Sequence, residues 1–95
     1  MKHKLHIKSK TPPVIELDPE ASAVYIRFSN AKVAKSLDVG RAGEIVVIDV
    51  DSSGHLVGME VVGIEPYSVK SLALLVKKHT SETVDLAPAQ ITVAA

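Results

Sequence analysis

The run Ser22-Ala23-Val24-Tyr25-Ile26-Arg27-Phe28-Ser29 alternates without a break between two kinds of side chain. In an extended chain Val24, Ile26 and Phe28 fall on one side and Ala23, Tyr25, Arg27 and Ser29 on the other, because successive Cβ atoms of a strand point to opposite faces. A helix would scatter the same residues around its circumference. This stretch therefore commits the chain to a sheet with one apolar face, and further strands are on hand to pair with it. Val14 to Asp18 is a short strand closed by Asp18-Pro19-Glu20-Ala21, where Asp can bond the backbone ahead and Pro presets its own dihedral, so a hairpin is expected. After a turn at Ser29-Asn30-Ala31-Lys32, Val33, Leu37 and Val39 alternate with Ala34, Ser36 and Asp38. Lys35 interrupts that apolar side, as at an edge or a snorkelling position.

Gly40-Arg41-Ala42-Gly43 connects to a β-branched strand, Glu44 to Asp51. Val46, Ile48 and Val50 share one of its faces with Glu44, and Ile45 and Val47 share the other with Asp49 and Asp51. Apolar residues on both faces suit a central strand or one covered by another subunit. Leu56 to Ile64 is the next strand, with Val57, Met59 and Val61 on one side and Leu56, Gly58, Glu60, Val62 and Ile64 on the other. Gly58 and Gly63 mark a bulge or a close approach. Beyond Glu65-Pro66-Tyr67 the period changes, and Val69, Leu72, Leu75, Val76 and His79 recur at helical spacing. Ser68 is a good N-cap, and Lys77, Lys78 and His79 lie near the negative end of the dipole, so a helix is expected over 69–79, ending at Thr80-Ser81-Glu82-Thr83.

The expected fold is α+β: an antiparallel β-meander of about five strands followed by one C-terminal α-helix. Residues 1–13 form a basic N-terminal arm, 14–80 one globular domain and 81–95 a tail. In the arm Leu5 and Ile7 can add a short edge strand, and His3 and His6 read as solvated rather than as ligands, since acidic partners are missing. In the tail Ile91-Thr92-Val93 favours an extra strand, paired with its own sheet or a neighbour's.

Composition narrows the partners. With 46% hydrophobic residues but only 3% aromatics among 95, the core must be built from Val, Ile, Leu and Ala. Lys plus Arg equals Asp plus Glu at 11 each, so no global field favours nucleic acid or an anionic membrane, and neither is expected as a partner. No cysteine is present, which removes disulfides, thiolate metal sites and thiol catalysis and makes a cytoplasmic chain the simpler reading. No apolar run approaches the ~18 residues of a membrane span, and no cofactor is implied.

Asp49-Val50-Asp51-Ser52-Ser53-Gly54-His55-Leu56-Val57-Gly58-Met59-Glu60 carries oxygen ligands at positions one, three, five and twelve with glycine at six, the spacing of an EF-hand calcium loop. Its flanks alternate at period two where an EF-hand has helices, and Glu60, six residues beyond Gly54 on an extended strand, would stand about 20 Å from the turn. A hairpin is the expected structure, with Gly54 at a positive φ and local amides bonded by Asp and Ser oxygens. A weak cation site on Asp49, Asp51 and Ser53 is the alternative.

Asp18-Pro19-Glu20-Ala21, then Ala23-Val24-Tyr25-Ile26-Arg27-Phe28, then Val46 to Asp51, and Gly54-His55-Leu56-Val57-Gly58-Met59-Glu60-Val61 together resemble the small prokaryotic family called domain of unknown function 2283. The resemblance covers about 14–64; Phe28 and Met59 stand where the family has aliphatics, and the arm and tail lie outside its pattern. It implies a compact antiparallel sheet with a helix, often oligomeric, with no established activity. By the association of some members with a neighbouring toxin-like gene, it also implies an antitoxin-like role.

Tyr25 and Arg27, two apart on one strand face, with Asp49 and Glu60 on other strands, form the best chemical constellation. Arg offers a planar fork of donors and a carboxylate pair can bind a cation or act as acid and base. The alternative is a cross-strand or intersubunit ion pair between Arg27 and Glu60 with Tyr25 packed over it. No serine has a motif-level His and Asp partner and no glycine loop precedes a helix; His55 and His79 read as structural or solvated. A single sheet with one short helix leaves a face uncovered. The expected function is a non-enzymatic module that forms homo-oligomers or binds a protein encoded nearby. The alternative is a small-molecule or metal-dependent enzyme built on Tyr25, Arg27, Asp49 and Glu60.

Overall fold

The computed structural model describes residues 7, 12–41, 43, 45–63, 68–80 and 84–93. Along the chain come β1 (Val14–Asp18), β2 (Ala23–Arg27), β3 (Lys35–Asp38), β4 (Ile45–Val50), β5 (Leu56–Val62), α1 (Val69–His79) and β6 (Gln90–Val93). The class is α+β, and the five antiparallel strands and the helix legible in the periodicities are all present. The expected arm strand at Leu5, the two arm histidines, Glu44 and the end of the helix-terminating run at Ser81 to Thr83 lie outside the described residues.

All six strands join one sheet in the order β3-β4-β5-β2-β1-β6. Sheet order therefore departs from chain order. Residues 28–34 carry the chain from β2 past β5 and β4 to the far edge. Phe28 and Ser29 donate their N–H groups to the Val57 carbonyl at 2.7 and 3.3 Å, and the Ala34 N–H donates to the Val50 carbonyl at 2.8 Å. This crossing makes β2 a neighbour of β5. The tail pairs with its own sheet, and β6 runs parallel to β1, so the sheet is mixed rather than purely antiparallel. Lys35 does stand on an edge strand.

One sheet face is the core. Val24, Ile26, Val46, Ile48, Met59 and Val61 are buried there, with Ile15 from β1 and Leu72 and Val76 from α1 in the same cluster. Leu72 and Val76, four apart, give α1 its inward stripe. Ser68 caps the helix by accepting the Ser71 N–H at 3.1 Å, and the Ser71 hydroxyl accepts the Ser68 N–H at 3.3 Å. At the other end Thr80 folds back, its N–H and hydroxyl both donating to the Val76 carbonyl. Leu86 joins the core from the tail.

A bulge alters one facing. Asp49 opposes Gly58 but Val50 opposes Leu56, so Val57 is the extra residue of β5. Strict alternation puts Leu56 on the side of Gly58 and Glu60. The bulge turns it to the side of Val50, where it is fully buried in the core.

Candidate functional site

The face away from the helix carries the constellation. Strand register lays Ser36, Asp49, Gly58, Arg27 and Val14 in one row across it, and Asp38, Val47, Glu60, Tyr25 and Glu16 in the next. Tyr25 on β2 and Asp49 on β4 are separated by the whole of β5, yet the Tyr25 hydroxyl donates to Asp49 Oδ2 at 2.7 Å. Gly58 makes this reach possible. A Cβ built on Gly58 would overlap the phenol, lying 2.7 Å from Cε2 and closer still to Cζ and Oη. The close approach expected at Gly58 is thus a ring laid across a strand that has no side chain at that point.

Asp49 receives a second hydroxyl, Ser36 Oγ donating to Oδ1 at 2.6 Å from the edge strand β3. Each carboxylate oxygen of Asp49 is therefore held by a hydroxyl. Burial pushes the Tyr25 phenol well above its ordinary pKa, and the adjacent Asp49 pushes it further, through the hydrogen bond and through its charge. Tyr25 is accordingly a fixed neutral donor at pH 7. Arg27 lies over the Tyr25 ring, with Cζ 5.1 Å from the centroid, and donates from Nη2 to Glu16 Oε1 at 3.2 Å. Both members of this pair are about 40% exposed, so its contribution to stability is modest, within the 0–1 kcal/mol of surface pairs.

Within the chain Arg27 pairs with Glu16 and not, as the cross-strand form of the alternative had it, with Glu60. Glu60 stands directly opposite Tyr25, while Arg27 stands opposite Gly58 on one side and one residue along from Glu16 on the other. Glu60 is exposed and has no hydrogen bond or ion pair among the described residues. Glu16, Tyr25, Arg27, Asp49 and Glu60 line one shallow depression of about 450 Å³, with Val33 from the 28–34 crossing on its rim. The four residues singled out from the sequence thus meet in one place. Glu16 and Ser36 escaped that reading. Glu16 was within reach of it: a hairpin turning at residues 19–22 sets Asp18 opposite Ala23 and hence Glu16 opposite Tyr25.

The loop 51–55 is a hairpin between β4 and β5, with Gly54 at φ 83°. Asp51 Oδ1 accepts the N–H groups of Ser53 and His55, each at 2.9 Å, and the Asp51 carbonyl accepts the Gly54 N–H at 3.0 Å. Asp49 and Asp51 each hold protein donors, Asp49 on the open face and Asp51 in the loop. Among the described residues no three His, Asp or Glu side chains are grouped to hold a metal ion. His55 is half-buried beside Asp51, and His79 is buried at the end of α1.

The fold and face define a small sheet-and-helix protein with an internally bonded polar network on its open side. The chain belongs to the family described as "Protein of unknown function (DUF2283)", whose pattern matches residues 15–64. That segment runs from the second residue of β1 through β5 and includes every residue of the depression. No curated protein and no solved structure matches the chain. Among the described residues no helix is long and apolar enough to cross a membrane.

Proposed function

We propose that this chain is a non-enzymatic module that works by binding protein, either its own copies or a partner encoded nearby, in the cytoplasm. One observation carries the reading: Glu60 apart, the acid–base groups at the centre of the open face, Tyr25, Asp49, Arg27 and Glu16, are bonded within one network. Tyr25 keeps its proton for Asp49, both Asp49 oxygens take hydroxyl donors, and Arg27 is engaged with Glu16 and the Tyr25 ring. Such a network fixes side chains in place, as an interface needs, and engages the Asp49 and Glu16 carboxylates in structural bonds rather than holding them ready as bases. The antitoxin-like role implied by the family resemblance is one case of this reading, with a second protein as the occupant. Light scattering across micromolar concentrations tests it, together with co-expression of the adjacent gene. A mass above that of one chain or a stable complex is expected; a monomer that captures nothing overturns the proposal.

A small-molecule enzyme is the second reading, and the depression favours it, since Glu16, Tyr25, Arg27, Asp49 and Glu60 converge there. Titration with small metabolite-like cations and carboxylates, followed by NMR shifts of Tyr25 and its neighbours, separates the two. Saturable shifts confined to the depression support the enzyme reading, and their absence removes it.

A further inference from the structure

We infer that β6 is a self-pairing edge through which two copies of this chain join their sheets antiparallel about a two-fold axis at Thr92. The inference rests on the reading of the chain as an oligomerising module and names the surface used. It concerns a strand outside residues 15–64, so nothing in the family match assigns it.

The direction of the β6 backbone groups follows from its pairing with β1. The Gln90 N–H donates to the Pro13 carbonyl at 3.1 Å, and Gln90 pairs with Val14 and Thr92 with Glu16. In a ladder the N–H and C=O of one residue point to the same side and alternate along the strand. Gln90 and Thr92 therefore face β1, and Ile91 and Val93 direct both backbone groups outward. Among the described residues no strand pairs with that outer side, since β6 ends the sheet. All four residues of β6 are exposed.

The side chains agree with this direction. Ile91 and Val93 pair with Ile15 and Leu17, so they stand on the helix side of the sheet, yet they are 54% and 63% exposed. They extend the apolar face beyond what α1 covers. Gln90-Ile91-Thr92-Val93 contains no charge and no proline. Natural edges are blunted by such residues against pairing with another chain, and this one is not.

A second copy fits because the outward groups are self-complementary. With Thr92 on the axis, Ile91 of one copy opposes Val93 of the other, each pair exchanging two N–H to C=O bonds, four in all. Ile91 and Val93 of both copies then form one apolar cluster on the helix side. Thr92 meets its own copy at the close, non-hydrogen-bonded position, where threonine pairs are favourable. An uncharged strand laid against itself brings no like charges together.

The chain has no cysteine, so single substitutions report cleanly. Across the axis the two Thr92 Cα atoms would be about 4.5 Å apart, inside the span a disulfide bridges. Two copies of residue 91 would be roughly 8 Å apart by strand spacing and rise, which is too far. Mild oxidation should therefore convert most Thr92→Cys protein to a covalent dimer, at least ten times faster than Ile91→Cys alone, while a mixture of Ile91→Cys and Val93→Cys chains cross-links well. An Ile91→Lys/Val93→Lys chain, altered only at exposed positions, should keep its circular dichroism and scatter as one chain. If the unaltered protein is oligomeric but Thr92→Cys fails to cross-link, or the lysine pair leaves the mass unchanged, β6 pairing is wrong and the oligomerising reading survives. A monomeric unaltered protein overturns both.

Discussion

The two faces of this sheet are held in different ways. On the helix side Ile26, Ile48, Met59, Leu72 and Val76 are almost wholly withdrawn from water and interlock without polar contacts, so stability there scales with volume filled. On the open side Ser36, Asp49, Tyr25, Arg27 and Glu16 link by hydrogen bonds and a cation–ring contact across four strands, partly wet and partly exposed. The contrast teaches that one face makes the fold and the other arranges a surface.

The largest expected effect falls on the first face. Ile48→Ala removes a fully buried side chain facing Leu37 and Met59 across the neighbouring strands and should cost about 2–5 kcal/mol in urea unfolding. A loss under 1 kcal/mol would mean the faces differ less than their burial implies. Next comes Gly58→Ala, which drives a methyl into the Tyr25 ring and should cost about 1–3 kcal/mol. The same change in a Tyr25→Ala background should be nearly neutral, and a double-mutant cycle showing no coupling would sever the steric link. Tyr25→Phe keeps the ring and loses the bond to Asp49, for about 1–2 kcal/mol at pH 7. Glu60→Gln, at an exposed site without a partner among the described residues, should leave stability within about 0.5 kcal/mol. If it weakens partner capture all the same, the open face is sharpened into a recognition surface.

Tyr25 also gives the open face a pH signature. Its phenol is raised above its unfolded value near 10, so the bond to Asp49 contributes fully below pH 10 and is lost as pH rises through the higher folded value. In a Tyr67→Phe background, phenolate absorbance should show little ionisation at pH 10, where a free tyrosine is half ionised. Asp49→Asn should bring the midpoint back down. An unshifted midpoint in the starting protein would contradict the network.

Facing was legible in the sequence and adjacency was not. The alternation of Val24, Ile26 and Phe28 against Tyr25 and Arg27 told which way each side chain points, because that period is local. The helix over 69–79 could be read for the same reason, from its cap and its stripe. Which strand lies beside β2 depends on the path of residues 28–34, a connection whose composition carries no direction. So Tyr25, Arg27, Asp49 and Glu60 could be placed on one face, while the partner of Arg27 turned out to be Glu16 from the preceding hairpin. Leu56 was misplaced because a bulge is a single-residue break in period, with Gly58 its nearest sign. The direction of β6 lay beyond local pattern altogether.

The tyrosine that reaches over Gly58 has a consequence for how the chain finds its fold. On β5 burial bars a slip of one place, which would turn the apolar side chains to the wrong face, but a slip of two is not barred in that way. A slip of two would keep every side chain on its proper face and so escape detection by burial. Only one place on β5 lacks a side chain, however, and two places further along the same face stands Glu60. Its side chain would meet the aromatic ring and block the path to Asp49. The contact thus acts as a gauge of alignment, closing only when the central strands have docked in step, and its loss should show as a slower, more heterogeneous refolding.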